Sequence, residues 1–251
     1  MEDYSYLEFD ETGKKVVGCD VNAIEITIPD EITEIGWCAF ADCSSLVSIE
    51  MPDSLLRIGD HAFFNCLALT SIDIPKNVKD IGFCAFSGCS ALTSVVIPDS
   101  VASIEESAFS YCTSLCSVFI PNGVKKIEYE AFKGCSALEV VEIPNSVTHI
   151  ASDAFAGCSA LNSVKIPSGI ISISSHAFEG CSSLVSVEIP DSVTHIDSNA
   201  FSGCSSLVSI GIPNSITSIG SEAFKGCSSL ESIDIPSSVI NIEDGVFEGC
   251  I

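Results

Sequence analysis

Residues 190–212 read PDSVTHIDSNAFSGCSSLVSIGI, and this 23-residue unit recurs along the chain without a shift in register. Aligned on its proline, the unit follows the pattern PxxVxxIxxxAFxGCSxLxSVxI. A period of about 20 to 50 residues is typical of supersecondary units stacked on copies of themselves, so the pattern predicts a solenoid. All ten prolines of the 251-residue chain lie at this 23-residue spacing: Pro29, Pro52, Pro75, Pro98, Pro121, Pro144, Pro167, Pro190, Pro213 and Pro236.

Each unit contains two segments of extended character and one compact turn. The Leu-x-Ser-Val-x-Ile segment alternates apolar and polar residues and ends at the proline, which predicts a short, half-buried strand. Val-x-x-Ile predicts a second extended or turn segment, and Ala-Phe-x-Gly-Cys predicts about one helical or 3-10 turn. We therefore predict a leucine-rich-repeat solenoid that is mainly β, with ten stacked 23-residue coils, short parallel strands, turns and short helical or 3-10 segments.

The first 20 residues depart from the repeat. Residues 6–9 and 14–17 read as two strands around an Asp-Glu-Thr-Gly turn, which predicts a hairpin. We expect residues 1–20 to form a capping hairpin and residues 21–251 to form one continuous solenoid domain, since a stack needs a terminal unit to cover its core. The chain ends at Ile251, in the middle of the pattern, so we expect a piece of a longer repeat array.

The Ile-Pro, Ala-Phe-x-Gly-Cys and Leu-x-x-Val-x-Ile elements resemble the leucine-rich repeats of BspA-like surface proteins from bacteria and protists, over residues 21–251. The resemblance implies a non-enzymatic protein-binding module, displayed on the cell surface or secreted, that adheres to host, matrix or neighbouring-cell proteins. A cytoplasmic protein-interaction scaffold is the alternative for function and location, because it would have the same physical features. A Ser-lined β-face also leaves open ice or carbohydrate binding.

Composition and charge exclude other classes of partner. The chain is 47% hydrophobic, but no stretch approaches the roughly 18 to 20 consecutive apolar residues of a membrane span, so we expect no membrane insertion. Its first residues also lack the basic and apolar regions of a secretory signal. The net charge of −24 repels phosphate backbones, so we expect no nucleic acid partner.

No motif predicts catalysis, a cofactor or a metal. The four histidines have no nucleophile partner in the pattern, and the chain contains no P-loop, GxGxxG or HExxH motif. Ten of the 14 cysteines share one phase and are expected to be buried free thiols. Cys38, His61 and Cys84 share another phase, but the two cysteines would lie two coils apart and a fourth zinc ligand is missing. We therefore predict no catalytic, cofactor or metal-binding residue.

The predicted binding residues are exceptions to the repeat. On the strand predicted for each Leu-x-Ser-Val-x-Ile segment, the residues on both sides of the central Val or Ile should point outward. The first of these positions is nearly always Ser, whereas the second varies. Val96, Phe119 and Val140 are expected to form an exposed apolar patch on neighbouring strands, bordered by Glu142 and Lys165. An aromatic residue with a polar rim is typical of a protein-binding hot spot.

A second set of aromatic residues recurs in every other unit, eight residues after the proline: Trp37, Phe83 and Tyr129. These side chains either cover the turn beneath them or face another chain. The oligomeric state therefore stays open.

Overall fold

The computed structural model describes residues 4–250, and in them most coils carry two short strands, here called the A-strand and the B-strand. The N-terminal hairpin consists of β1 (Leu7–Phe9) and β2 (Lys15–Cys19). The A-strands, from the Leu-x-Ser-Val-x-Ile segment, are β3 (Glu25–Thr27), β5 (Ser48–Glu50), β8 (Ser94–Val96), β10 (Ser117–Phe119), β12 (Val140–Glu142), β14 (Ser163–Lys165), β16 (Ser186–Glu188) and β18 (Ser209–Gly211). The B-strands, from the Val-x-x-Ile segment, are β4 (Glu34–Ile35), β6 (Arg57–Ile58), β7 (Asp80–Ile81), β9 (Ser103–Ile104), β11 (Lys126–Ile127), β13 (His149–Ile150), β15 (Ser172–Ile173), β17 (His195–Ile196), β19 (Ser218–Ile219) and β20 (Asn241–Ile242).

Neighbouring coils pair their strands in parallel, as predicted. Six A-strands form one sheet in the order β8-β10-β12-β14-β16-β18, while β3 pairs with β5 and Ile72 bridges to Val95. The B-strands form three shorter ladders: β4-β6-β7, which the hairpin strands β2 and β1 extend, β9-β11-β13 and β15-β17-β19-β20. Every A-strand pair is offset by one repeat, as in Ser94 opposite Ser117, so equivalent residues of successive units lie side by side.

The core is a set of columns that run through the stack. The phenylalanine rings lie nearly parallel at centroid distances of 5.0 to 5.9 Å, from Phe40 to Phe247. Columns of Ala, Cys, Leu and Ile pack around them and are almost wholly buried. One unit alone could not cover these side chains, so the hydrophobic stabilisation comes from contacts between coils.

The Ala-Phe-x-Gly segment differs from the prediction, because residues 4–250 contain turns there and no helix. The residue before Ala and the residue at the Gly position both have left-handed backbone angles, as in Asp153 at φ 58° and Gly157 at φ 74°. Two such residues four positions apart interrupt a right-handed helix. The segment instead bonds to the next coil, where the Phe40 amide donates to the Ala62 carbonyl at 2.8 Å.

The N-terminal hairpin continues the B-strand ladder. Its strands pair antiparallel, and β2 pairs in parallel with β4, which places Val16 beside Ile35. The Asp10 carboxylate stabilises the turn by accepting hydrogen bonds from the Thr12 hydroxyl and the Lys14 and Lys15 amides. The hairpin thereby extends the stack by one layer at the first coil.

Candidate functional site

A groove of about 730 Å³ crosses the middle of the A-strand sheet. It is lined by residues from β10, β12, β14 and β16 and by the turns that follow the first two of these strands. The structure places Phe119, Val140, Glu142 and Lys165 together in its lining. Val96 lies outside the lining, on β8, but it is the strand neighbour of Phe119. All five predicted residues therefore belong to one continuous surface.

The apolar side chains of this surface are exposed because of strand alternation. On most A-strands the central residue is buried and its two neighbours face outward. Val96, Phe119 and Val140 keep 63%, 57% and 47% of their surface exposed. Val140 replaces the usual Ser and lies between Ser117 and Ser163 on the adjacent strands. The surface is therefore an apolar interruption in an otherwise Ser-lined face.

A row of charges continues from the apolar patch. The register places Glu142 beside Phe119, and Lys165 beside Glu188, so the three charged residues occupy the same position on consecutive strands. Ion pairs within 4.0 Å form elsewhere, as between Lys15 and Glu34 at 2.8 Å, but within residues 4–250 none involves these three side chains. Their charges face the groove without an intramolecular partner of that kind.

Five further polar residues line the groove and were absent from the predicted site: Asn122, Asn145, Ser163, Ser186 and Glu188. Glu188 occupies the variable outward position of β16, the same position that Lys165 occupies on β14. It could therefore have been predicted from the sequence in the same way as Lys165. Asn122 and Asn145 each follow a proline, at the turn after the strand. Amide side chains can donate and accept hydrogen bonds, so one edge of the groove is suited to a peptide backbone.

The thiol column belongs to the core. Nine of its cysteines donate a hydrogen bond to the carbonyl oxygen of a phenylalanine 26 residues earlier, at 3.1 to 3.3 Å. Burial raises the pKa of Cys135 and of Cys181 to about 12. Since the thiolate is the nucleophile and the metal ligand, these thiols are inert near neutral pH.

The group of Cys38, His61 and Cys84 occupies one turn position in three consecutive coils, and all three residues have left-handed backbone angles. Within residues 4–250, no three His, Cys, Asp or Glu side chains converge as a metal site.

Residues 4–250 contain no helix with the length and apolar character needed to cross a bilayer. Trp37, Phe83 and Tyr129 are exposed, by 69%, 37% and 42%.

Two overlapping ranges, 16–139 and 125–251, match the sequence profile of the BspA type leucine rich repeat region. The chain belongs to the BspA-type leucine-rich repeat family. Its coil also matches solved structures of leucine-rich repeat proteins, whereas no curated protein matches its sequence. Family membership is consistent with the stacked 23-residue units. The residues that line the groove all lie within the matched ranges.

Three solved structures show the likeness of this BspA-type protein to bacterial repeat proteins. A leucine-rich repeat protein from Bacteroides ovatus is 31% identical, with a TM-score of 0.59 over 90% of this chain and 76% of that one. A leucine rich cell surface protein from Faecalibacterium prausnitzii is 30% identical, with a TM-score of 0.54 over 97% and 94%. A leucine-rich repeat protein from Eubacterium ventriosum, 24% identical, shares the fold with a TM-score of 0.64 over 91% and 77%.

Proposed function

We propose that this BspA-type protein is a non-enzymatic protein-binding module, displayed on a cell surface or secreted, whose partner binds in the mid-array groove. The observation that supports the proposal most is the exposed Phe119 beside Val140, in a groove of about 730 Å³ on a sheet whose other outward positions are mostly Ser, Asp or Glu. Clustered apolar anchors with a polar rim are typical of protein interfaces. The description of the Faecalibacterium relative as a cell surface protein supports the location.

The charges of the groove favour a basic partner. Glu142 and Glu188 lie on either side of Lys165, so carboxylates outnumber ammonium groups in the row. The whole chain carries a net charge of −24, which attracts cationic segments and repels acidic ones. The occupant that fits is a protein segment with one aromatic or aliphatic side chain next to lysine or arginine residues.

The size of the apolar contribution follows from the exposure of Phe119. A phenylalanine side chain presents on the order of 200 Å², and 57% of Phe119 is exposed. Covering roughly 110 Å² contributes up to about 3 kcal/mol at ~25 cal/mol per Å². Phe119 alone therefore reaches the energy of an interface hot spot.

A panel of synthetic peptides tests the partner chemistry. Fluorescent 12-residue peptides with one central Phe, Tyr or Leu are made in matched sets flanked by Lys and Arg, by Ser, or by Asp and Glu, and their binding is measured by fluorescence polarisation. We expect the basic set to bind, and the Glu142→Gln/Glu188→Gln variant to bind it more weakly. Equal binding of basic and acidic sets, or undiminished binding by the double variant, contradicts a basic occupant.

Protease shaving of intact source cells tests the location. Repeat fragments should be released under conditions that also cut known surface proteins. Protection of the repeats in such cells contradicts surface display and favours the cytoplasmic scaffold. Recovery of the intact protein from the culture medium instead indicates secretion.

A further inference from the structure

The thiol column has an irregular first member. The Sγ atom of Cys43 lies 2.9 Å from the Sγ atom of Cys19, which ends β2 of the N-terminal hairpin. This separation is less than 1 Å longer than the ~2.0 Å of a disulfide bond. Both side chains are free thiols in the structure. The two sulfur atoms are therefore placed for bond formation with little movement.

The repeat itself explains why this pair is different. The other column cysteines donate to a phenylalanine carbonyl of the preceding coil, as Cys66 does to Phe40 at 3.1 Å. Cys43 belongs to the first coil, where the hairpin takes the place of a preceding unit. Cys19 lies 24 residues before Cys43, one residue off the 23-residue period, and supplies the sulfur contact instead of a carbonyl. Within residues 4–250, Cys43 is the one column member that does not bond to a phenylalanine carbonyl.

We propose that Cys19 and Cys43 form a redox-active dithiol site whose substrates are small-molecule disulfides, and that its oxidised form ties the hairpin covalently to the first coil. Cys19 is half-buried and meets the reagent, whereas Cys43 is 1% exposed. Cys19 attacks the small disulfide as its proton passes to the Cys43 sulfur 2.9 Å away, and it expels one thiolate, which leaves a mixed disulfide on Cys19. The Cys43 thiolate then attacks the Cys19 sulfur and expels the second thiolate. The two protons released by the cysteines end on the two small thiols, so one disulfide is reduced as one is formed.

The consequence is mechanical. The bond would close the chain between the hairpin and the first coil, a separation of 24 residues, and a loop of this size constrains the unfolded chain. The hairpin is otherwise held by backbone pairing, by the Lys15–Glu34 ion pair and by a few buried side chains such as Val16 and Leu7. Oxidation should therefore stabilise the terminal layer that covers the core. This site lies in the first coil, and its existence does not depend on the groove or its partner.

Glutathione disulfide is a suitable probe. Reduced, folded protein is incubated with it, quenched in acid, alkylated and digested without reductant for mass spectrometry. Cys116 is exposed and would take up glutathione by itself, so the measurement uses a Cys116→Ser background. We expect a linked Cys19–Cys43 peptide pair and two fewer alkylated thiols, with the remaining column cysteines alkylated after unfolding. A melting temperature about 5–10 °C higher in the oxidised protein should accompany the link.

Two controls keep the outcome decisive. Cys19→Ser and Cys43→Ser should each show no link and no rise in melting temperature on oxidation. If the substitution at the buried Cys43 prevents folding, Cys19→Ser at the half-buried position is sufficient. Cys116 in the unsubstituted protein shows that the glutathione disulfide is active. If Cys116 is modified while Cys19 and Cys43 are recovered as free thiols, or if each carries glutathione without a link, the proposal is wrong.

Discussion

Replacing Phe155 with alanine perturbs the phenylalanine column at its centre. The Phe155 ring is fully buried and lies between Phe132 and Phe178, at centroid distances of 5.5 and 5.6 Å. An aromatic side chain buries about 150–250 Å², which corresponds to about 4–6 kcal/mol at ~25 cal/mol per Å². The remaining alanine methyl retains about 1 kcal/mol of this. We expect the free energy of unfolding to fall by about 3–5 kcal/mol, as for other buried phenylalanines.

Phe247→Ala is the matched variant at the end of the column. Phe247 is half-buried, and among residues 4–250 its only stacked neighbour is Phe224, at 5.9 Å. A stack stabilised by contacts between adjacent units predicts a loss of about 1–2 kcal/mol here, less than half the loss at Phe155. Guanidinium unfolding followed by circular dichroism measures both variants. Equal losses at the two positions, or a loss below about 1 kcal/mol for Phe155→Ala, would contradict a core stabilised by contacts between adjacent coils.

Two further predictions concern the turn and the thiols. Gly157→Ala should cost about 1–2 kcal/mol in chemical unfolding because φ is +74°, whereas the added Cβ meets its nearest neighbour, Gly134, at an ordinary 3.6 Å; an unchanged midpoint would contradict this strain. Burial raises the pKa of Cys135 and Cys181 to about 12, against about 8.5 for a cysteine in an unfolded chain. Above pH ~8.5 the unfolded state therefore loses protons that the folded state keeps, so the free energy of unfolding falls as the pH rises. In reductant, the guanidinium midpoint of a Cys135→Ala/Cys181→Ala variant should therefore drop less between pH 7.5 and 10.5 than that of the parent, and equal drops would contradict the assignment.

The columns of the solenoid were predictable because they depend on the period alone. Apolar alternation and the proline fix each A-strand, and a constant offset of 23 residues fixes which side chains stack. The turn before the Cys column was not predictable. Its first left-handed position holds residues such as Ser107 and Glu222, which carry no local preference for that conformation. Hydrogen bonds to the next coil impose it, and these bonds exist only in the stack.

The candidate site likewise has some features that the sequence predicts and others that only the structure shows. Phe119, Val140, Glu142 and Lys165 could be grouped from the sequence because register makes them strand neighbours. The depth of the groove and the contribution of the proline turns, including Asn145, depend on how the coils pack and so required the structure. The contact between Cys19 and Cys43 was hidden for a related reason, since the hairpin enters the stack one residue out of phase.

The affinity of Phe119→Ala for the basic peptide that binds the parent best is the decisive test that the groove is the binding site. Loss of the ring contact should weaken binding by about 2 kcal/mol, or roughly 30-fold in Kd, measured by isothermal titration calorimetry. Ile171→Ala is the matched control, because Ile171 is 59% exposed, close to the 57% of Phe119, but lies outside the groove beside a B-strand. A binding site in the groove predicts a large loss for Phe119→Ala and unchanged binding for Ile171→Ala. Unchanged binding by Phe119→Ala, in a protein that still folds, would show that the groove is not the binding site.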